Sequence, residues 1–170
     1  MLVFSATIIF LLLLNLQTYI QLTKEVELVE VMVSEITDQG ASVNLTIDGR
    51  ETNYLISADE WRVDARFIKW KPWFTVLGKE PIVRLETLSG KLYRNSQKDQ
   101  QSYHLSSEIV QLDGLLSYLI DRFGILDVMY GSSVYMPIKK GARFRVSATH
   151  SGLIARPVNE QGRMAVQDWN

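Results

Sequence analysis

A chain of 170 residues, 46% of them hydrophobic, has material for one sizeable core but not for two ordinary domains and a linker. Its 18 Lys and Arg against 19 Asp and Glu leave a net charge of -1, so no overall field draws it to nucleic acid, and anion binding must come from a local patch. The absence of cysteine excludes disulfides, thiolate metal sites, iron-sulfur clusters and cysteine nucleophiles, and leaves the redox compartment open.

The N-terminus, MLVFSATIIFLLLLNLQTYIQLTKE, carries no charged side chain before Lys24. An apolar run of this length, about 21 residues at 1.5 Å each, is roughly 31 Å long and matches a bilayer hydrocarbon core. The reading is a transmembrane anchor over residues 1–23 and a β-rich domain over 24–170. A cleaved signal peptide is the competing reading, but there is no basic n-region, and Asn15, Gln17, Thr18, Tyr19 and Gln21 stand where a small-x-small cleavage site would follow. Gln17, Thr18 and Gln21 share one side of such a helix, placed either to bond a second span or to lie among headgroups. The flank after the span holds Lys24 but then Glu25, Glu27, Glu30 and Glu35, which favours the side outside the cytoplasm for the domain.

Beyond Lys24 the pattern is period two. Val26 to Ile36 reads as a strand. Ala41, Val43, Leu45 and Ile47 then face opposite Ser42, Asn44 and Thr46, and Asp48-Gly49 supplies a two-residue hairpin turn into Glu51 to Ser57. Trp61, Val63, Ala65 and Phe67 alternate with Arg62, Asp64 and Arg66. Ile68 and Trp70 carry the apolar set onto even positions, which predicts a β-bulge at Phe67-Ile68. Pro81 to Thr87 alternates likewise with Arg84 and Glu86 outward, so a hairpin would bring opposite charges across one polar face. Such a face is ordinarily solvated; it can also be a binding surface, with Asp64 a carboxylate held between arginines.

Between these strands, Lys69, Trp70, Lys71, Trp73 and Phe74 gather around one Lys-Pro-Trp corner. Tryptophan beside lysine is an interfacial pairing, the ring among headgroups and the ammonium on lipid phosphate. The same residues could instead fold over the sheet end as a core lid; single-stranded nucleic acid is a third use that the overall charge disfavours.

Arg94 to Ser102 reads as an exposed loop and Tyr103 to Glu108 as a short strand. Leu112, Leu115, Leu116, Leu119 and Phe123 recur at helical spacing, with Asp113 near the start and Gly124 at the end. Leu126 to Pro137, Ala142 to Ala148 and Leu153 to Val158 return to strands, turned at Lys139-Lys140-Gly141 and His150-Ser151-Gly152. The expected class is α+β: an N-terminal transmembrane helix, then a mostly antiparallel sheet or partial barrel with one packed helix.

Chemistry is sparse. His104 and His150 have no metal-ligand spacing and read as local hydrogen-bonding groups at strand ends, so no metal or cofactor is expected. Asp59, Glu60 and Asp64 are the one candidate carboxylate cluster, but neighbouring arginines favour their ionised forms and weaken a general-acid role. Asn44-Leu45-Thr46 is a glycosylation sequon in mid-strand. No phosphate loop or nucleophile elbow is present.

The segments DEWRVDARFIKWKPW, LGKEPIVRLETLSGKLY, YGSSVYMPI and SGLIARPVN resemble a family of small bacterial membrane-anchored proteins often named multidrug transporter or cation/multidrug efflux pump. The resemblance implies an envelope protein, of accessory role at most, and supplies no functional residues. One span with a β-rich domain has no multi-helix alternating-access path, so the chain is not expected to be a pump itself. The leading expectation is a non-enzymatic, membrane-tethered module that contacts the bilayer and a membrane-protein partner, or its own copies, through the Trp-Lys corner. The alternative is a small-ligand or enzymatic site at Asp64.

Overall fold

The computed structural model describes residues 2–71, 82–92, 102–105 and 126–169. The expected helix at Leu112 to Phe123 and the Arg94 to Ser102 loop, its last residue apart, lie outside them.

The chain opens with a helix over Leu2–Thr23 (α1), 22 residues long. Its described side chains from Phe4 to Leu16 are all exposed rather than packed on the sheets. Among the described residues no helix is long and apolar enough to cross a membrane. Phe4 to Leu16 is about 20 Å of helix, short of a hydrocarbon core, whereas the whole of α1 at the same rise is about 33 Å. A spanning role for α1 is therefore taken up below as a proposal.

Among the described residues nine strands follow, all antiparallel to their neighbours, in two sheets rather than the single sheet or partial barrel that alternation suggests. The first holds β1 (Val26–Thr37), β2 (Gly40–Ile47), β3 (Arg50–Ile56), β8 (Arg143–Ala148) and β9 (Leu153–Pro157) in the order β3-β2-β1-β8-β9. The second holds β4 (Glu60–Trp70), β5 (Ile82–Lys91), β6 (Ser102–His104) and β7 (Leu126–Pro137) in the order β6-β5-β4-β7. The expected meander is β1-β2-β3, and its Asp48-Gly49 turn has φ of 48° and 77°, the left-handed pair that a two-residue hairpin needs.

Period-two alternation puts one side of each sheet against the other, as in a sandwich. Val29, Val31, Val33, Val43, Leu45, Phe144 and Val146 from one sheet and Trp61, Val63, Phe67 and Leu88 from the other are fully buried in one cluster. Trp61 meets Phe144 edge-on across the layers, ring centroids 5.6 Å apart. The margins also meet: Tyr103 on β6 donates to the Leu55 carbonyl of β3 at 2.8 Å, and the Leu153 amide of β9 donates to Ser132 Oγ of β7 at 2.9 Å.

One local expectation is corrected. The bulge is not at Phe67-Ile68, since Trp61, Val63, Ala65 and Phe67 are buried in unbroken alternation and Ile68 continues on the outer face. The ladder slips on either side of it instead: in β5, where Asp64 pairs with Thr87 but Ala65 with Leu85, leaving Glu86 as the extra residue, and against β7, where Lys69 pairs with Val128 but Trp70 with Leu126. The strand expected at Leu153 to Val158 forms as β9. A helix over Glu160–Gln167 (α2) follows, its N-cap Asn159 accepting from the Gly162 amide at 2.9 Å and the Arg143 amide at 3.0 Å. That cap serves a helix and a strand start together, a pairing across 16 residues that local periodicity does not display.

Candidate functional site

Outward positions of β4, β5 and β7 form the polar face expected from sequence, and its centre is Asp64. The carboxylate accepts from Arg62 Nε at 2.6 Å, from Thr87 Oγ1 at 2.6 Å and from Ser133 Oγ. Arg62 also donates to Ser133 Oγ at 3.1 Å, and its guanidinium lies 5.3 Å from the Tyr135 ring centre, which Lys91 approaches at 5.1 Å. Partial burial pushes the Asp64 carboxyl up, but the hydrogen bonds from Ser133, Thr87 and Arg62 outweigh it and hold the group below its ordinary range. A carboxylate with three donors already in place has no proton to give near neutrality and little spare capacity to accept one. Its work is to tie three strands together.

The other candidate carboxylates do not join it. Glu60 is 3% exposed; it accepts from the Trp169 indole at 2.7 Å and lies 3.7 Å from Lys91 Nζ. Among the described residues no group of His, Asp and Glu is placed to hold a metal ion. His104 is exposed on β6, and His150 lies in the turn after β8, its carbonyl accepting from the Tyr130 hydroxyl at 3.4 Å. The sequon residue Asn44 is engaged in an Asn-Ser ladder, donating to Glu51 at 2.6 Å and accepting from Asn53.

Arg66 and Glu86 pair at 2.8 Å, as a cross-strand ladder predicts. The bulge changes the rest. Because Glu86 is the extra residue, the register sets Arg66 directly opposite Arg84, and Gly131 of β7 stands on the other side of Arg66. Like charges directly opposite across a sheet repel.

The outward residues of the first sheet form a second charged set, one that alternation alone does not single out. Glu25 is forked by Arg156 at 2.7 and 3.3 Å, Glu27 pairs with Arg145 at 3.0 Å, and Glu30 lies 3.7 Å from Arg143. The hydrogen bond from Arg156 is the main reason the Glu25 carboxyl sits below its ordinary range. Alternating acids at 25 and 27 and arginines at 143 and 145 are visible in the sequence; their pairing needs the β1-β8 register.

The strand order decides where the Trp-Lys corner lies. Val26, the first residue of β1, pairs with Ala148, so the turn at 149–152 sits at the end where α1 joins. That turn touches β7 through Tyr130 and Ser132, while Tyr130 pairs with Phe67 and Leu126 with Trp70. Lys69, Trp70 and Lys71 therefore fall at the same end of the sandwich as the α1 junction. Trp73 and Phe74 lie outside the described residues. Only Lys24 and Glu25 separate α1 from β1, a reach of roughly 10 Å at full extension.

Comparison with family models, curated proteins and solved structures gives no match. The functional reading rests on the chain's own geometry.

Proposed function

We propose that the chain is a non-enzymatic, membrane-tethered β-sandwich of the bacterial inner membrane. α1 is the single span, the sandwich lies on the extracytoplasmic side, and the module serves as an accessory or binding partner to a membrane protein rather than as a pump. The observation that carries this reading is the junction. A helix without a charged side chain, exposed along its described length, is joined through two residues to the end of the sandwich that also carries Lys69, Trp70 and Lys71. If α1 spans, a link this short holds that end at headgroup level, where Trp and Lys are at home.

The test is photo-crosslinking in native membranes from a probe at Trp73, with the full chain and mass-spectrometric identification of products. A discrete protein adduct supports an accessory module and names its partner. Lipid adducts alone leave a membrane-contact loop without a protein partner, and no adduct of either kind sinks the contact reading in favour of a core lid. Trp73→Ala and Lys71→Glu are expected to disturb localisation or partner capture while the domain stays folded.

A further inference from the structure

We propose that the outer face of the second sheet, at the row formed by Arg66 and Arg84, docks onto the phosphates of anionic lipid headgroups. The inference rests on the tethered reading above and names the surface and the lipid chemistry. Three observations carry it.

The first is electrostatic. Arg66 and Arg84 are direct cross-strand partners, both exposed, and Glu86 pairs with Arg66 at 2.8 Å. Among the described residues no ion pair neutralises Arg84. Two guanidinium groups facing each other across a strand pair are unfavourable unless an anion bridges them, and a phosphate monoanion suits the fork geometry of both.

The second is steric. Gly131 occupies the third place in that row, is exposed, and a Cβ built on it meets nothing within 4 Å. Arg66 is therefore open on its β7 side, leaving access for a headgroup.

The third is the order of rows along the strands. Ile68 pairs with Ile82 one row nearer the α1 junction, both half-buried on the outer face, and Asp64 with Thr87 lies one row further away. From the junction outward the face reads apolar, cationic, then acidic and hydrogen-bonded. Adjacent rows are two residues apart, about 7 Å along a strand, and an apolar surface at an interface sinks about 5–10 Å into the headgroup/acyl boundary, so the apolar row can enter it while the cationic row stays among the headgroups. Lys71 adds a cation at the same end.

The experiment uses the full chain, which has no cysteine of its own. Gly131→Cys carries an environment-sensitive fluorophore. The protein is reconstituted into phosphatidylcholine vesicles with and without phosphatidylglycerol, and quenching by a headgroup-labelled lipid is read. Quenching is expected to rise with phosphatidylglycerol and to fall at high salt. Replacing Arg66 and Arg84 by Gln should lower the docked-to-free ratio by about fivefold per guanidinium removed, whereas Arg84→Lys should retain most of it. Quenching indifferent to phosphatidylglycerol, or unchanged in the double Gln variant, overturns the proposal. So does a lipid-independent protein adduct from a crosslinker at position 131 in native membranes, since the face would then belong to a protein. Alkaline carbonate extraction of the same vesicles separates the two readings. Release of the chain fails the tether, while the label still reports docking; retention without lipid dependence fails only the headgroup site.

Discussion

The two outer faces of the sandwich solve the same problem differently. On the first sheet, Glu25, Glu27 and Glu30 near the α1 junction each have an arginine from β8 or β9 at 2.7 to 3.7 Å, and β2 and β3 add an Asn-Ser ladder. Those three acids are neutralised within the sheet itself. On the second sheet the Asp64 rows are equally self-contained, but one bulged residue shifts the register so that arginine meets arginine. Sequence alternation alone does not distinguish the faces; the position of Glu86 in the ladder does.

The largest perturbation should strike both faces alike. Trp61 is fully buried and touches Phe144 of the opposite layer, so Trp61→Ala is expected to cost about 3–5 kcal/mol in denaturant titrations. A loss confined to one sheet's hydrogen-exchange protection would show that the layers do not share a core.

Next comes Asp64, which sets the acid stability of the second face. Its folded-state carboxyl lies below the ordinary value, so the carboxylate contributes its full stabilisation above the unfolded-state range. That stabilisation drains away as pH falls through the folded-state value. Asp64→Asn should cost about 1 kcal/mol near neutrality, the partial exposure of the site limiting the effect. It should also flatten the acid limb of Tm against pH below about pH 5, where the unfolded-state carboxyl begins to protonate. An acid limb identical to that of the parent would remove Asp64 from the account.

Charge reversal gives the sharpest contrast, because the sign should differ between faces. Arg145→Glu removes the partner of Glu27 and sets an acid opposite Glu30, so it should lower stability by about 0.2–1 kcal/mol. Arg84→Glu sets an acid opposite Arg66 and should raise stability by a similar amount. Equal signs in thermal melts at low salt would break the comparison between a balanced and an unbalanced face. The smallest effect should come from Lys71→Glu, within about 0.5 kcal/mol in stability because it lies beyond the ladder, though it is expected to alter membrane contact.

Much of the fold is legible in the residues alone. β1, β2, β4 and β8 are marked by side chains alternating at period two, and Asp48-Gly49 announces its hairpin because those residues accept left-handed backbone. Arg62, Asp64, Arg66, Arg84 and Glu86 are legible as one polar face for the same reason. The bulge is not, because Ile68 and Trp70 look in the sequence like a shifted core set, whereas Ile68 stays on the outer face. Helix α2 escapes periodicity because its eight residues bury only Gly162 and Ala165; its one local mark is the N-cap Asn159.

By itself, then, the sequence determined the strand faces, the turn at Asp48-Gly49, the uncharged N-terminal helix and the absence of a catalytic motif, all set by local periodicity and side-chain chemistry. Only the tertiary structure decided that the strands divide into two layers, that the Trp-Lys corner shares an end with α1, and that Arg66 faces Arg84. These depend on strand order and register, fixed by contacts between residues tens of positions apart, where a single extra residue in β5 changes which charges meet.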